Sequence, residues 1–445
     1  MKDCIGRLLY RLRTINPVRL VAMGYLSYIL MGFALLSLPF MQTNPVSILD
    51  NLFISTSAVS TTGLVTVTVN KDYTFWGQLV ILLLIQLGGI GYMTFSSFVI
   101  LSTKKHLTDH AKNIARTVFS IPQNFRIEHF VVSVMLFSVV IEFFGAVGLF
   151  FVFRDANVAD PLWNAVFHSV SAFCTAGFSL FPISFEGPLA KNLSLNIIIS
   201  VLSILGAMGF IVCLDVWRLF RRKSHHRLTL TTKVIIAMTS CVLIIGTLLL
   251  FLTEFYGGET TSANRLLFSF FQAMSALTTV GFNSVAMGTL SKSAILLLCI
   301  LMIIGASPAG TGGGLKTTTF SAIWGLMKSV VTGNKDVKIW GATVPEDRVK
   351  TAVASLSLYL SALTLGTYLL TLVEKSTFVE LFFEAASALG TVGLSLGITG
   401  SLTELGKLII ILLMYIGRVG PLTFGMSLYV RSEIIFDDKK SDLAV

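Results

Sequence analysis

The sequence predicts an all-α membrane protein in which one chain folds four related helical units around a single axis. Three observations carry that prediction. Apolar residues make up 54% of the 445 and charged residues only 13%, about half the ~25% of soluble proteins. Mean hydropathy is +0.81, so there are too few polar groups to cover the apolar surface in water, and the bilayer is the natural solvent. Long apolar runs follow one another along the chain, and one twelve-residue motif occurs four times.

The runs are 20–40, 79–101, 130–153, 195–217, 233–252, 294–306, 351–373 and 407–417. Most approach the ~20 residues that cross a hydrocarbon core as a helix, so eight spans are expected. The runs 294–306 and 407–417 are shorter, and each stops at a glycine-rich interruption. The first run begins after 19 residues and lacks a small-residue cleavage site, which makes it a span and not a signal peptide.

Net charge is +10 and unevenly spread. Basic residues gather in the N-terminal arm (Lys2, Arg7, Arg11, Arg13, Arg19), in 104–126 (Lys104, Lys105, Lys112, Arg116, Arg126), in 218–233 (Arg218, Arg221, Arg222, Lys223, Arg227, Lys233) and in 328–350 (Lys328, Lys335, Lys338, Arg348, Lys350). They alternate with acidic loops holding Asp50, Asp72, Asp155, Asp160, Glu186, Glu254, Glu259 and Glu374. Basic loops stay on the cytoplasmic side. Both termini are therefore expected inside a plasma membrane, with the acidic loops outside. The basic residues then set topology and meet lipid headgroups, and nucleic acid is not an expected partner. Cys4, Cys174, Cys213, Cys241 and Cys299 are dispersed without a CxxC pair and read as packing. No HExxH or ligand cluster occurs among the six histidines, of which His225 and His226 are neighbours in a basic loop. No catalytic metal and no enzyme activity are expected.

The repeated motif is the most specific signal. Its copies run from Phe53 to Leu64, Phe167 to Phe178, Phe271 to Phe282 and Phe383 to Leu394, and share F-x-x-x-S-A-x-x-T-x-G-[L/F]. The glycines at 63, 177, 281 and 393 are spaced by 114, 104 and 112 residues. One T-x-G carries no information; four aligned copies at near-even spacing carry a great deal. Ahead of them, Ser47-x-x-Asp50, Asp160-Pro161 and Thr377-x-x-Glu380 read as helix starts. From start to motif is about 12–15 residues, or ~20 Å of helix against a ~30 Å core. Each is thus a re-entrant half-helix that stops near mid-membrane. The expected architecture is four M1-P-M2 units, eight spans plus four half-helices, in pseudo-fourfold order around one central pore. The units are 17–103, 128–222, 231–332 and 346–433, between an arm at 1–16 and a tail at 434–445.

Non-helical backbone at membrane depth is tolerated only when buried in protein or lining a water-filled path. The segments Thr61-Thr62-Gly63, Thr175-Ala176-Gly177, Thr279-Val280-Gly281 and Thr391-Val392-Gly393 would satisfy that condition together around an axis. Glycine lets successive carbonyls face one side, and such carbonyls can replace the hydration shell of K⁺. The half-helices would aim their partly negative carboxyl ends at the cavity. The alternative is that T-x-G only turns the chain in a helical hairpin.

Beyond each motif lie further glycines: Gly88-Gly89-Ile90-Gly91, Gly206-Ala207-Met208-Gly209 and Gly417-Arg418-Val419-Gly420. Small residues there let helices pack closely. The third unit departs from this, with Gly305-Ala306-Ser307-Pro308-Ala309-Gly310-Thr311-Gly312-Gly313-Gly314. That stretch cannot continue a helix. Extended to Lys316, it is expected as an intramembrane loop below the filter and a gate. Arg418, a buried arginine in a span, is a functional residue by default. It would project charge into the path, bond carbonyls of the 305–314 loop, or pair structurally with Glu142 or Asp215. Glu142 lies in a span without an assigned role.

These residues resemble the superfamily of potassium transporters that includes the bacterial Trk and Ktr systems and the plant high-affinity potassium transporters. Within it, the length and compact loops are most similar to the membrane subunit of Ktr systems. The resemblance covers roughly residues 15–435. It implies K⁺ uptake with Gly63, Gly177, Gly281 and Gly393 as filter glycines, the 305–314 loop as gate and Arg418 as pore barrier. It implies a homodimer with one pore per protomer, Na⁺ stimulation, and a cytoplasmic ring of nucleotide-binding regulatory subunits sensing ATP, ADP or cyclic di-AMP. This chain has no G-x-G-x-x-G after a strand, so that nucleotide site would belong to the partner. A cation-coupled secondary transporter is the competing class. It is usually built from two inverted halves, whereas all four copies here share one orientation.

Overall fold

A computed structural model describes residues 17–91, 127–221, 228–254 and 261–429. The arm at 1–16, the basic stretch 104–126, residues 92–103 of the first unit, Arg222, Lys223, Arg227 and the His225–His226 pair, Glu259 and the tail at 434–445 lie outside the described residues.

The described chain is predominantly helical, and one order of elements occurs four times. A long helix comes first: α1 (Pro17–Leu36), α4 (Ile127–Asp155), α8 (Leu230–Thr253) and α12 (Glu346–Val373). A short helix then ends inside the motif: α2 (Ile48–Ser60), α5 (Pro161–Phe173), α9 (Ser262–Thr278) and α13 (Phe378–Leu389). An apolar helix follows: α3 (Phe75–Ile90), α6 (Leu193–Met208), α10 (Lys292–Ile304) and α14 (Glu404–Val419). After it the chain resumes as α7 (Phe210–Arg221), α11 (Thr317–Val331) and α15 (Pro421–Tyr429) in the later units. The one sheet among the described residues is a hairpin, β1 (Lys338–Ile339) with β2 (Ala342–Thr343). Its turn uses Trp340 and Gly341 at positive φ.

Local chemistry sets the short helices. Thr377 and Glu380 form a reciprocal capping box, the Thr377 amide donating to the Glu380 carboxylate at 2.8 Å. Ser47 Oγ accepts from the Asp50 amide at 3.1 Å. The third start differs from expectation. Asp160 occupies the N-cap position before Pro161, but its φ of 46° turns the side chain away from capping. Asn164 instead ties the turn down, its Nδ2 donating to the carbonyls of Ala159 and Asp160.

Among the described residues four helices are long and apolar enough to cross a membrane, Val18–Leu36, Val132–Asp155, Leu230–Thr253 and Glu346–Val373, or up to six spans if each of two bent helix pairs counts as one. Leu136, Phe143 and Phe144 on α4, and Ile244, Leu248 and Leu252 on α8, point outward and exposed. Each such side chain forgoes ~1.5–3 kcal/mol of burial if it faces water; hydrocarbon removes that cost. The chain is a multi-pass membrane protein. The expected continuous span 195–217 is corrected: α6 stops at Met208 and α7 leaves at 95°. Unit four does the same, with 96° between α14 and α15. Gly91, Gly209, Gly305 and Gly420 end the four apolar helices, at φ 86°, 87°, 67° and 90°. A positive-φ glycine thus ends the apolar helix of every unit, including the two whose runs were expected to stop at a glycine-rich interruption. Physical cause is clearest at Gly209, where a Cβ would strike the Pro308 carbonyl.

The units close into a ring. The apolar helix of each packs on the short helix of the next: α3 on α5, α6 on α9, α10 on α13, and α14 back on α2. Buried Phe53, Phe167, Phe271 and Phe383 fill the space behind the motifs. At the closing contact Lys407 of α14 pairs with Asp50 of α2 at 2.6 Å, both side chains about 15% exposed. Replacing Lys407 by Gln leaves Asp50 half-buried with a weaker partner. A loss of about 1–3 kcal/mol is expected, read as a lower melting temperature of the detergent-solubilised protein.

Candidate functional site

Each short helix ends the same way, and the motif explains it. In the first copy the Thr61 amide donates to the Ala58 carbonyl at 3.1 Å, and the Thr62 amide to the Ser57 carbonyl at 2.9 Å. The same pair of bonds closes Thr175 and Ala176 onto Ala172 and Ser171, Thr279 and Val280 onto Ala276 and Ser275, and Thr391 and Val392 onto Ala388 and Ser387. This is a Schellman cap with threonine in the left-handed position, at φ 52°, 50°, 58° and 49°. Glycine normally sits there, because a β-branched side chain is strained at positive φ. Three of the four threonines there use the hydroxyl in a hydrogen bond to the 305–316 stretch.

The motif serine then holds the returning strand. Ser57 Oγ and Ser387 Oγ accept from the amides of Gly63 and Gly393 at 3.1 and 3.0 Å. Ser171 Oγ and Ser275 Oγ donate to the carbonyls of Phe178 and Phe282 at 2.9 and 2.6 Å. Sequence reasoning assigned this serine no role; its presence in every copy was the available signal.

The four strands stand side by side in a closed cycle. A Cβ added to Gly63 would strike the Ala176 carbonyl, one on Gly177 that of Val280, one on Gly281 that of Val392, and one on Gly393 that of Thr62. Segments 61–63, 175–177, 279–281 and 391–393 thus come together, each pressing its backbone on the next. At the ring's outer edge Glu186 accepts from Asn283 Nδ2 at 2.6 Å. Burial raises its carboxyl above the ordinary value, against the lowering effect of that bond.

Directly under the ring lies the non-helical stretch from Gly305 to Lys316. Its backbone is satisfied across units: the Ser307 amide donates to Ala207 and the Thr311 amide to Gly206, at 3.0 and 3.1 Å. Within the loop Ala306 donates to the Gly313 carbonyl at 3.0 Å, and Phe210 donates to Ala309 at 3.0 Å. The ring threonines reach down to it. Thr61 Oγ1 donates to the Thr311 carbonyl at 3.4 Å, Thr175 Oγ1 meets Thr311 Oγ1 at 3.1 Å, and Thr279 Oγ1 accepts from the Gly313 amide at 3.0 Å. Thr391 Oγ1 is buried beside Gly313 and makes no hydrogen bond. Thr311 Oγ1 also donates to Phe173, the last residue of α5, at 3.1 Å.

Arg418 fastens this loop from the side. Its Nη1 donates to the Thr311 carbonyl at 2.5 Å and to Thr61 Oγ1 at 2.9 Å, and its Nη2 donates to the carbonyls of Gly88 and Gly89. The carboxylates weighed as its structural partners are engaged elsewhere. Glu142 accepts from Gln86 Nε2 at 2.9 and 3.0 Å, and Asp215 accepts from the Thr229 amide at 2.9 Å. A second cation went unnoticed in the sequence: Lys316 Nζ donates to the carbonyls of Gly312 and Gly313, at 2.6 and 3.4 Å. Among the described residues no group of His, Cys, Asp and Glu is placed to hold a metal ion.

The family model described as TrkH, a cation transport protein, matches residues 27–434. The Ktr system potassium uptake protein B of Bacillus subtilis is 35% identical over 417 residues, covering 93% of each chain. That of Vibrio alginolyticus is 34% identical over 415 residues, covering 92% of this chain and 90% of its own. The potassium/sodium uptake protein NtpJ of Enterococcus hirae is 34% identical over 430 residues, covering 94% of each. Among solved structures, the potassium transporter TrkH from Vibrio parahaemolyticus has the same fold, with TM-score 0.70 at 20% identity over 93% of this chain and 86% of its own.

The close approach in the ring separates two costs that glycine relieves. Gly187 and Gly281 both have positive φ, 77° and 83°, but a Cβ on Gly187 meets nothing within 4 Å. Gly187→Ala should cost only the backbone strain, roughly 1–2 kcal/mol. Gly281→Ala must also displace the Val392 carbonyl and should cost about 3 kcal/mol or more. Melting temperatures of the two variants compare them; equal losses would remove the carbonyl contact.

Proposed function

The chain belongs to the TrkH family of cation transport proteins, and from that premise we propose that it takes up potassium through the ring of motif strands. The observation that carries this reading is the cycle of glycine–carbonyl contacts running through Gly63, Gly177, Gly281 and Gly393 back to the first. Strands so arranged offer backbone carbonyls to one axis, and carbonyl oxygens in number replace the hydration of K⁺ without an ionised side chain. Four half-helices end at that axis, and their carboxyl ends favour a cation there.

The loop from Gly305 to Gly314 is the gate. It holds three of the four ring threonines by hydrogen bonds, so conduction requires those bonds to break. Arg418 is the pore barrier and latch. A fixed positive charge beside the path raises the energy of a passing cation; two unit charges ~5 Å apart repel by ~3 kcal/mol at an effective dielectric of ~20. Lys316 braces the same loop through the carbonyls of Gly312 and Gly313. The protein works as a homodimer in the plasma membrane, with both termini cytoplasmic. A cytoplasmic ring of KtrA-like subunits binding ATP or ADP controls the loop, and Na⁺ stimulates uptake. Support for the two-component reading is the likeness to Ktr system proteins; support for a role of Na⁺ is the likeness to a protein named for potassium and sodium uptake.

The test is uptake of K⁺ or ⁸⁶Rb⁺ in a bacterial strain without its own potassium systems, with a Ktr regulatory subunit co-expressed and Na⁺ present or absent. Rescue by the natural chain and none by Gly281→Asp, at equal amounts in the membrane, is the expected result; uptake by Gly281→Asp would sink the filter. Two further variants test the gate. Deleting residues 310–313, or replacing Arg418 by Ala, should raise the maximal uptake rate about tenfold, the size of one or two lost latch bonds. Unchanged flux from folded variants would leave the loop without a gating role.

A further inference from the structure

Nine residues before each motif glycine lies a side chain buried behind the returning strand: Ile54, His168, Gln272 and Glu384, each fully shielded from solvent. The position is the same in the four copies, but its chemistry differs. Ile54 has no hydrogen-bonding group. Gln272 Nε2 reaches Ser284 Oγ at 3.2 Å. His168 Nδ1 lies 2.8 Å from the Asn164 carbonyl, which makes Nδ1 the donor and leaves Nε2 to accept from Ser179 Oγ at 3.1 Å. Glu384 alone brings a carboxyl group. One of its oxygens takes the Ser395 hydroxyl at 2.9 Å and the other takes the Thr399 hydroxyl. Thr399 Oγ1 also lies 2.9 Å from Ser395 Oγ, which in turn accepts the Gly397 amide at 3.0 Å. Both oxygens are thus spent on one chain segment, 395–399, immediately beyond Gly393.

We propose that Glu384 is a positioning residue for ion discrimination, fixing the fourth strand through Ser395 and Thr399 so that the ring keeps a K⁺-sized spacing. The inference rests on the filter reading above. Carbonyls discriminate between cations by their number, spacing and freedom to close on a smaller ion. A strand held at both ends resists that closure. The fourth strand is held from inside by Ser387 on the Gly393 amide and from outside by Glu384. The first strand has the inner bond from Ser57 but only Ile54 at the outer position. The ring is therefore clamped unevenly, with its firmest outer support opposite no equivalent in its neighbour across the closing contact.

The experiment is competition of Na⁺ and K⁺ against ⁸⁶Rb⁺ uptake by the full chain in membranes, for Glu384→Gln, Glu384→Ile and the double variant Ser395→Ala, Thr399→Val. Glutamine presents polar atoms to both hydroxyls and should keep the K⁺-over-Na⁺ preference within about twofold. Isoleucine, which gives the fourth copy the residue of the first, should lower the preference about tenfold, the effect of losing one hydrogen bond to a carboxylate. The double variant should match it, and decides the matter if Glu384→Ile fails to reach the membrane. An unchanged preference in a transporting Glu384→Ile or double variant overturns the proposal, as does an equal loss with glutamine. Failure of the filter reading itself shows separately, as uptake that survives Gly281→Asp.

Discussion

Backbone that leaves the helix inside a membrane must find its hydrogen bonds within the protein, and the rest of this structure follows from that constraint. Four short helices end inside the motifs, and the strands after them run on without helical bonds. The Schellman caps absorb the first orphaned groups, and the motif serines absorb the next. The strands are then gathered side by side, each ring glycine facing the backbone carbonyl of the next strand.

The same constraint governs the stretch below the ring. Residues 305–316 form no helix, yet most are buried. Their amides are met by the frayed end of α6, where Gly206 and Ala207 offer carbonyls that the bend at Gly209 has freed. Broken helix and loop therefore complete each other: neither would be satisfied alone at that depth. Arg418 joins the arrangement from a third direction, with donors to the loop, to the ring and to the end of α3. One side chain thus links units one, three and four. A guanidinium is suited to this because its five donors lie in a fixed plane.

Fourfold likeness and functional asymmetry coexist for a physical reason. Caps, ring glycines and helix-ending glycines are backbone features, and they recur in every unit. Side-chain chemistry is free to differ once the backbone is secured. The loop belongs to unit three, the arginine to unit four, and the residues behind the strands run from isoleucine to glutamate. A single-chain ring can specialise its quarters in a way that four identical subunits cannot.

The sequence by itself determined the apolar runs, the four copies of the motif, the half-helix lengths and the helix-breaking stretch at Gly305–Gly314. These depend on composition, periodicity and local turn chemistry within a dozen residues. The capping box at Thr377 and Glu380 was legible for the same reason. Only the tertiary structure decided the cyclic order of the units, the bends at Gly209 and Gly420, the partners of Arg418 and the burial of Lys316. It also decided that Asp160 does not cap its helix. The cyclic order, the bend at Gly209 and the partners of Arg418 rest on groups about 100 to 360 residues apart meeting in space, as Arg418 meets Thr61 and Thr311. A glycine in an apolar run can pack against a neighbour or end its helix at positive φ. At Gly209 that choice follows the Pro308 carbonyl, which comes from elsewhere in the chain.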